Sequence, residues 1–306
     1  MALSVLIPTT ITTAMLTSSS IPETDYAAWS GATTYALGDR VISTTTHRIY
    51  ESAAGSNLNK DPTDITNRSG ATIWWVDVAP TNTWAMLDDV NNTQSTGSTP
   101  IVVVLTPGSI NSIYLGNLVA YSFSVVIKDA PVANIVYDSG TVFLGEPIPD
   151  YYEYFFSPFK SLVNYLLTGL PPYTDCEVTI TINNNTGDVK CGILSLGMLN
   201  QLGRTVLGAS AKPKTYSYIN TDAFGNTSIV RRKATTDMTA TCTLDVQEAS
   251  YVLSVVQTVL DIPCVWIAND ECSLYNGLIV FGLGSGDLTY TDSTKATLSL
   301  TVQGLI

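Results

Sequence analysis

Histidine is almost missing from this chain of 306 residues: His47, in Thr44-Thr-Thr-His-Arg, is the only one. A Ser-His-Asp or Cys-His arrangement has no second candidate if this one is misplaced, and His47 reads as a surface turn residue. Charge is sparse too, at 13% of residues, about half the usual fraction. The 14 basic residues look thinly spread against 26 acidic ones, giving a net charge of −12, which argues against a nucleic-acid partner. No uninterrupted run of about 18 apolar residues occurs, so membrane insertion is not expected. The opening Met1-Ala-Leu-Ser-Val-Leu-Ile-Pro-Thr-Thr-Ile-Thr lacks a basic n-region and is broken by Pro8, unlike an ordinary signal peptide. The expectation is a chain made and folded in solution.

Cysteine is scarce and unpatterned. Cys176, Cys191, Cys242, Cys264 and Cys272 are odd in number, and no two stand at a C-x-x-C spacing. Reduced, buried thiols are expected; a Cys176–Cys191 bridge across a strand pair would not persist in a cytosolic product. A zinc site would need about four ligands, and His47 is far from any cysteine in sequence. Calcium lacks an Asp-x-Asp-x-Asp loop. Glycoside hydrolysis would need two carboxyl groups about 5 to 10 Å apart, and Glu51, Asp61, Asp88, Asp89, Glu146, Asp150 and Glu153 are the candidates. Spacing alone pairs none of them. Asp88-Asp89 read as the cap of a turn into Val90-Asn-Asn, and Glu153 as part of an aromatic wall. Gly282-Leu-Gly-Ser-Gly-Asp follows a strand with no P-loop lysine behind it, and reads as turns. Neither catalysis nor a cofactor nor a metal is expected.

Thr, Ser, Asn, Gly, Val, Ile and Tyr are plentiful instead, the usage of many strands and turns. A mainly β protein of two or three domains fits the length. Residues 1–22 look like an extended N-terminal arm that adds a strand to a neighbouring subunit, or else the first strand of the chain's own core. Residues 23–80 hold an aromatic and glycine cadence, Trp29-Ser-Gly-Ala-Thr-Thr-Tyr35-Ala-Leu-Gly38-Asp39-Arg-Val41, then Ile49-Tyr50-Glu-Ser and Trp74-Trp75. It describes a miniature β-fold built around aromatic rings. In residues 81–202 about eight strand-length runs, among them 100–105, 121–127, 176–182 and 191–198, are closed by Pro, Gly or Asp and suggest a jelly-roll β-sandwich. Between them, Asp150-Tyr-Tyr-Glu-Tyr-Phe-Phe-Ser-Pro-Phe159 lines a groove or a subunit interface, or packs beneath a long connection. Residues 203–306 mix strands at 214–219, 228–232 and 238–245 with one helix over 247–260, where Val252, Val255, Val256, Val259 and Leu260 repeat at helical spacing.

Three resemblances follow from these residues. The cadence of residues 24–80 resembles the small carbohydrate-binding modules of chitinases and cellulases, which also decorate many bacteriophage tail proteins. That likeness implies a stacking set of Trp29, Tyr35 and Trp74 or Trp75 for the apolar faces of sugar rings, such as host surface glycans. Alternation sends Trp74 and Trp75 to opposite faces, so at most one of them is core. The Trp-rich opening, the Leu105-Thr-Pro-Gly108 turn and the strand with Gly192 and Gly197 resemble the galactose-binding type of jelly roll. Asp222-Ala-Phe-Gly-Asn-Thr, Val230-Arg-Arg, the helix, Val265-Trp-Ile and Leu298-Ser-Leu-Thr-Val-Gln-Gly-Leu resemble the strand-rich barrel with one flanking helix of phage tail-tube and distal tail proteins. This last likeness implies a virion structural protein made in the host cytoplasm, a homo-oligomeric ring of six-fold or three-fold symmetry, and other tail or baseplate proteins as neighbours. The other reading is a secreted or surface-displayed carbohydrate-binding protein, or an accessory module of a wall-degrading enzyme.

Overall fold

Strands dominate the computed structural model, which describes residues 2–129, 133–145, 150–156, 161–222, 224–269 and 275–305. Cys272, Glu146 and the side chain of Glu153 lie outside that description. The mainly β class and the single long helix match the sequence, but the domain plan does not.

The largest element is a nine-stranded sheet in which six strands close on themselves. In order around the ring these are Ile193–Thr205, Ala2–Pro8, Cys264–Ile267, Ile279–Tyr290, Lys295–Gly304 and Ala234–Asp245, each antiparallel to the next. Pairing of Arg204 with Thr243 and of Thr205 with Cys242 completes the circuit. Closure makes none of these six a terminal strand of the sheet, although among the described residues 283–290 pair on one side alone, with Lys295–Gly304. Period-2 alternation then decides the core. Leu3, Val5, Met238, Ala240, Cys242, Leu244, Trp266, Leu298, Leu300 and Val302 point to one buried side, joined by Ala249, Val252, Val255 and Val256 of the helix Val246–Thr258 and by Val259 just after it. Leu6, Val265, Ile267, Ile279 and Phe281 point to the other side, where they meet Tyr114, Leu166 and Ile193.

Residues 2–8 are thus no arm reaching for a neighbour. They are a central strand, bonded on both sides, because Leu3, Val5 and Leu6 supply apolar groups to both faces of the sheet. Nor does a domain end at residue 202: the thirteen-residue strand Ile193–Thr205 runs through that position. Its first half pairs with Ser112–Gly116, its second with Ala2–Pro8. The sandwich is made of a separate sheet, ordered Asn134–Asp138, Ser122–Asp129, Cys176–Asn183, Ile101–Leu105, Leu16–Ser19, laid on the barrel sheet's own extension. Phe123, Val125, Ile127, Val178, Ile180 and Ile182 pack there with Ile113, Leu115, Leu194 and Leu196. The second layer expected of a self-contained jelly roll is therefore shared with the barrel.

Glycine marks the tight places. Leu3 pairs with Gly203 but Ser4 with Gln201, so a bulge at Leu202 turns the long strand from one partner toward the other. Gly203 has φ +151°, and a β-carbon there would stand 2.8 Å from the Thr243 carbonyl oxygen. The run Gly282-Leu-Gly-Ser-Gly, expected to be turns, lies inside the strand Ile279–Tyr290. A β-carbon at Gly284 would come within van der Waals overlap of the Trp266 indole, whose Nε1 donates to the Gly282 carbonyl at 3.1 Å. Glycine is used here for close packing of strand on ring.

Two outcomes are expected. Gly203→Ala destabilises the protein by about 1–3 kcal/mol, read as a lower urea midpoint, because the barrel closes at that residue. The described cysteines, Cys176, Cys191, Cys242 and Cys264, are free and buried. Burial pushes Cys191 and Cys264 up to about 12 and Cys242 up to about 11, from 9.0. Iodoacetamide at pH 8 therefore leaves these four unmodified in the native state, as peptide mapping will read. The folded thiols keep their protons where unfolded ones release them, so their contribution to stability is full below 9.0 and is lost as pH rises toward about 12.

Candidate functional site

The aromatic module is an insertion. The chain leaves the body after Leu16–Ser19 and returns at Thr81, so the module interrupts the sandwich instead of preceding it. Its three-stranded sheet, Arg40–Ser43, Arg48–Ser52 and Trp75–Pro80, is joined by a two-residue ladder of Thr34–Tyr35 with Asn57–Leu58. Gly38, at φ +88°, makes the reversal, and Asp39 Oδ2 accepts from the Ala36 N–H at 2.7 Å. This is the Gly-Asp pair of the cadence acting as a turn.

His47 seats the module on the body. Its Nδ1 lies 3.0 Å from Glu23 Oε1 and its Nε2 2.8 Å from Thr13 Oγ1. Its ring stacks on Trp84 at 4.1 Å between centroids, and Thr81 Oγ1 donates to the same Glu23 carboxylate at 2.9 Å. The residue stands in a turn as expected, at φ +56°. It is not on the surface: its side chain is 14% exposed, because it fills the joint between the module, the 9–15 loop and the short helix Ala85–Leu87.

The four predicted sugar-stacking residues separate into two kinds. Trp75 is 0% exposed and Tyr35 9%; with Val41 and Tyr50 they form the module's core. Their rings meet edge to face at 5.2 Å, Trp75 Nε1 donates to the Lys60 carbonyl at 2.7 Å, and the Tyr35 hydroxyl accepts from the Ser30 N–H at 2.8 Å. Neither has a free face for a sugar, since a module this small needs its large rings inside. Trp29 and Trp74 pack on this core from outside and stay half-exposed. Of the adjacent pair, Trp75 is core and Trp74 is rim. Lys60 Nζ sits 5.3 Å from the Trp74 ring centroid, a cation over a π face, and Asn59 Oδ1 would lie 2.9 Å from a β-carbon at Gly31, beside the Trp29 indole. Lys60 and Asn59 were missed because a loop of polar residues gives no periodic signal.

Three of the carboxylate candidates are engaged locally. Glu51 pairs with Arg40 at 2.8 Å, and Asp61 Oδ1 accepts from Thr63 at 2.7 Å. Asp88 caps its turn by accepting from the Val90 N–H at 2.9 Å; desolvation holds it above the ordinary carboxylate range. Among the described residues no three His, Cys, Asp or Glu side chains gather as metal ligands would, and no helix is long and apolar enough to cross a membrane.

Two exposed apolar surfaces complete the inventory. The helix Tyr151–Phe156 turns Tyr151, Tyr152, Phe155 and Phe156 to solvent, so these rings are not packed beneath the connection; residues 157–160 lie outside the description. The second surface is a hairpin of Tyr218–Thr221 with Thr227–Val230, paired with each other and with no other strand. All eight of its strand residues are exposed, and Phe224 at its tip is 92% exposed.

Comparison of the chain with family models, with curated proteins and with solved structures found no match.

Core and rim tryptophans separate by experiment. Trp75→Ala removes about 3–5 kcal/mol from the module and opens residues 23–80 to limited proteolysis, whereas Trp74→Ala leaves the cleavage pattern and the near-ultraviolet fold signature of the body as in the parent.

Proposed function

We propose that this chain is a virion structural protein of a tailed phage, a homo-oligomeric ring or collar of the tail tip or baseplate. The observation that carries the reading is the free hairpin 218–230. Tyr218 faces Val230 across the ladder and Ile219 faces Ile229, so an apolar pair stands on each side of a ribbon left exposed among the described residues. A lone two-stranded ribbon is marginal in water, and apolar surface of this kind serves contact with another chain. A closed barrel flanked by one helix fits the tail-ring resemblance of residues 203–306. Low surface charge suits permanent subunit contacts.

The inserted module suits a peripheral position, since it hangs from the body by a single joint. Half-exposed Trp74 beside Lys60 supplies a π face with a hydrogen-bond donor above it, the pairing that weak sugar binding needs. Repetition around a ring multiplies such weak contacts into firm attachment to host glycans. The same tryptophan favours the second reading, a non-catalytic carbohydrate-binding protein.

Light scattering after size exclusion at several concentrations, with negative-stain imaging, discriminates the two. Closed rings are expected. A strict monomer retained on a chitin or cell-wall column, with retention lost in Trp74→Ala, would replace the ring reading with the carbohydrate-binding one.

A further inference from the structure

The hairpin is the tip of a longer arm, and the arm is basic. Ser210–Thr215 pairs with the start of Ala234–Asp245 from Ser210↔Thr239 to Thr215↔Ala234, and the ladder resumes at Tyr218↔Val230 after a break. Ser217 bridges the break: its Oγ accepts from the Arg232 N–H at 3.1 Å. The described residues of 206–239 therefore form one extended ribbon carrying Lys212, Lys214, Arg231, Arg232 and Lys233 against two acidic residues, Asp222 and Asp237. That is a local charge of +3, which leaves −15 on the rest of the chain.

Five of the 14 basic residues thus share one ribbon. Lys214 pairs with Asp237 at 3.8 Å, and Lys233 Nζ donates to the Asn92 carbonyl at 3.2 Å. Lys212, Arg231 and Arg232 have no ion-pair partner among the described residues. Asp222 is consumed inside the tip, where bonds from Asn226 and from the Phe224 N–H hold its carboxylate below the ordinary range.

We infer that this arm docks on the acidic body of a second copy of the chain, in a head-to-tail contact. The inference rests on the oligomeric reading above and adds the surface and the polarity of the contact. Two arms brought together about a two-fold axis would oppose +3 to +3, which like-charge repulsion disfavours. An arm laid on a body of charge −15 gains attraction over its length, while Tyr218, Ile219, Ile229 and Val230 bury apolar area on both faces. A contact between unlike surfaces is heterologous: it closes into a ring when the rotation allows, and otherwise grows as a filament.

The full-length protein and the variant R231E/R232E/K233E are compared by sedimentation and light scattering at about 0.05 M and about 0.5 M salt, where screening lengths differ severalfold. Thermal melting and circular dichroism confirm that the variant's barrel is intact, and a second variant, I219S/I229S, tests the apolar part with the charges kept. The parent is expected to assemble, more weakly at high salt, and each variant to lose association on the order of 100-fold. Carbodiimide cross-linking of mixed heavy-isotope and ordinary protein should join Lys212 or Lys233 of one copy to body carboxylates of another. Variants that assemble like the parent would overturn the arm's role while leaving the ring standing. Failure of all three proteins to associate at any salt would overturn both readings. Cross-links confined to Asp222 of a second arm would overturn the polarity. Retardation of duplex DNA at about 0.15 M salt by a monomeric parent, abolished by the charge reversal, would overturn the inference in favour of nucleic acid as the arm's occupant.

Discussion

Backbone pairing along a single strand, Ile193–Thr205, ties this molecule together. A strand has two edges, and this one spends them in sequence: on Ser112–Gly116, on Ala2–Pro8, and at its end on Ala234–Asp245. Sandwich and barrel are consequently two ends of one sheet and share side chains through it. Leu194 and Leu196 belong to the sandwich core and Leu202 to the barrel core. The bulge at Leu202 and the bare Gly203 permit the hand-over, because a side chain there would collide with the strand that closes the ring.

That economy explains where free surface remains. Six strands are joined in a closed circuit, and the helix buries one stripe in the barrel core. The parts proposed to face other molecules are the inserted module, the aromatic helix Tyr151–Phe156 and the basic arm. Each exposes large apolar side chains. In the proposed ring these appendages make the contacts, while the closed barrel supplies rigidity. The module differs from the arm in having a core of its own, so its exposed rings are the few left over after Trp75, Tyr35 and Tyr50 are buried.

Legibility differed between kinds of feature. Strands whose residues alternate, such as Cys176–Asn183 and Lys295–Gly304, could be read directly, as could the helix, whose observed limits Val246–Thr258 fall close to the expected 247–260. The Gly38-Asp39 reversal and the opposite faces of Trp74 and Trp75 were also legible, because both depend on neighbours within a few residues. Misreadings arose where a residue's role is set from afar. Gly284 resembles a turn glycine until Trp266 is found against it, and His47 resembles a surface turn until Thr13, Glu23 and Trp84 enclose it.

Composition and local pattern therefore determined by themselves the β class, the single long helix, the miniature aromatic fold and the buried character of the thiols. These follow from propensity and period, which act over a turn or a pleat. Only the tertiary structure decided that residues 2–8 are central, that the module is an insertion, that barrel and sandwich share a strand, and that Lys212, Lys214, Arg231, Arg232 and Lys233 stand along one ribbon. Strand pairing is a choice among many partners of similar pattern, and it is settled by the burial and closure of the whole sheet rather than by any strand's own residues.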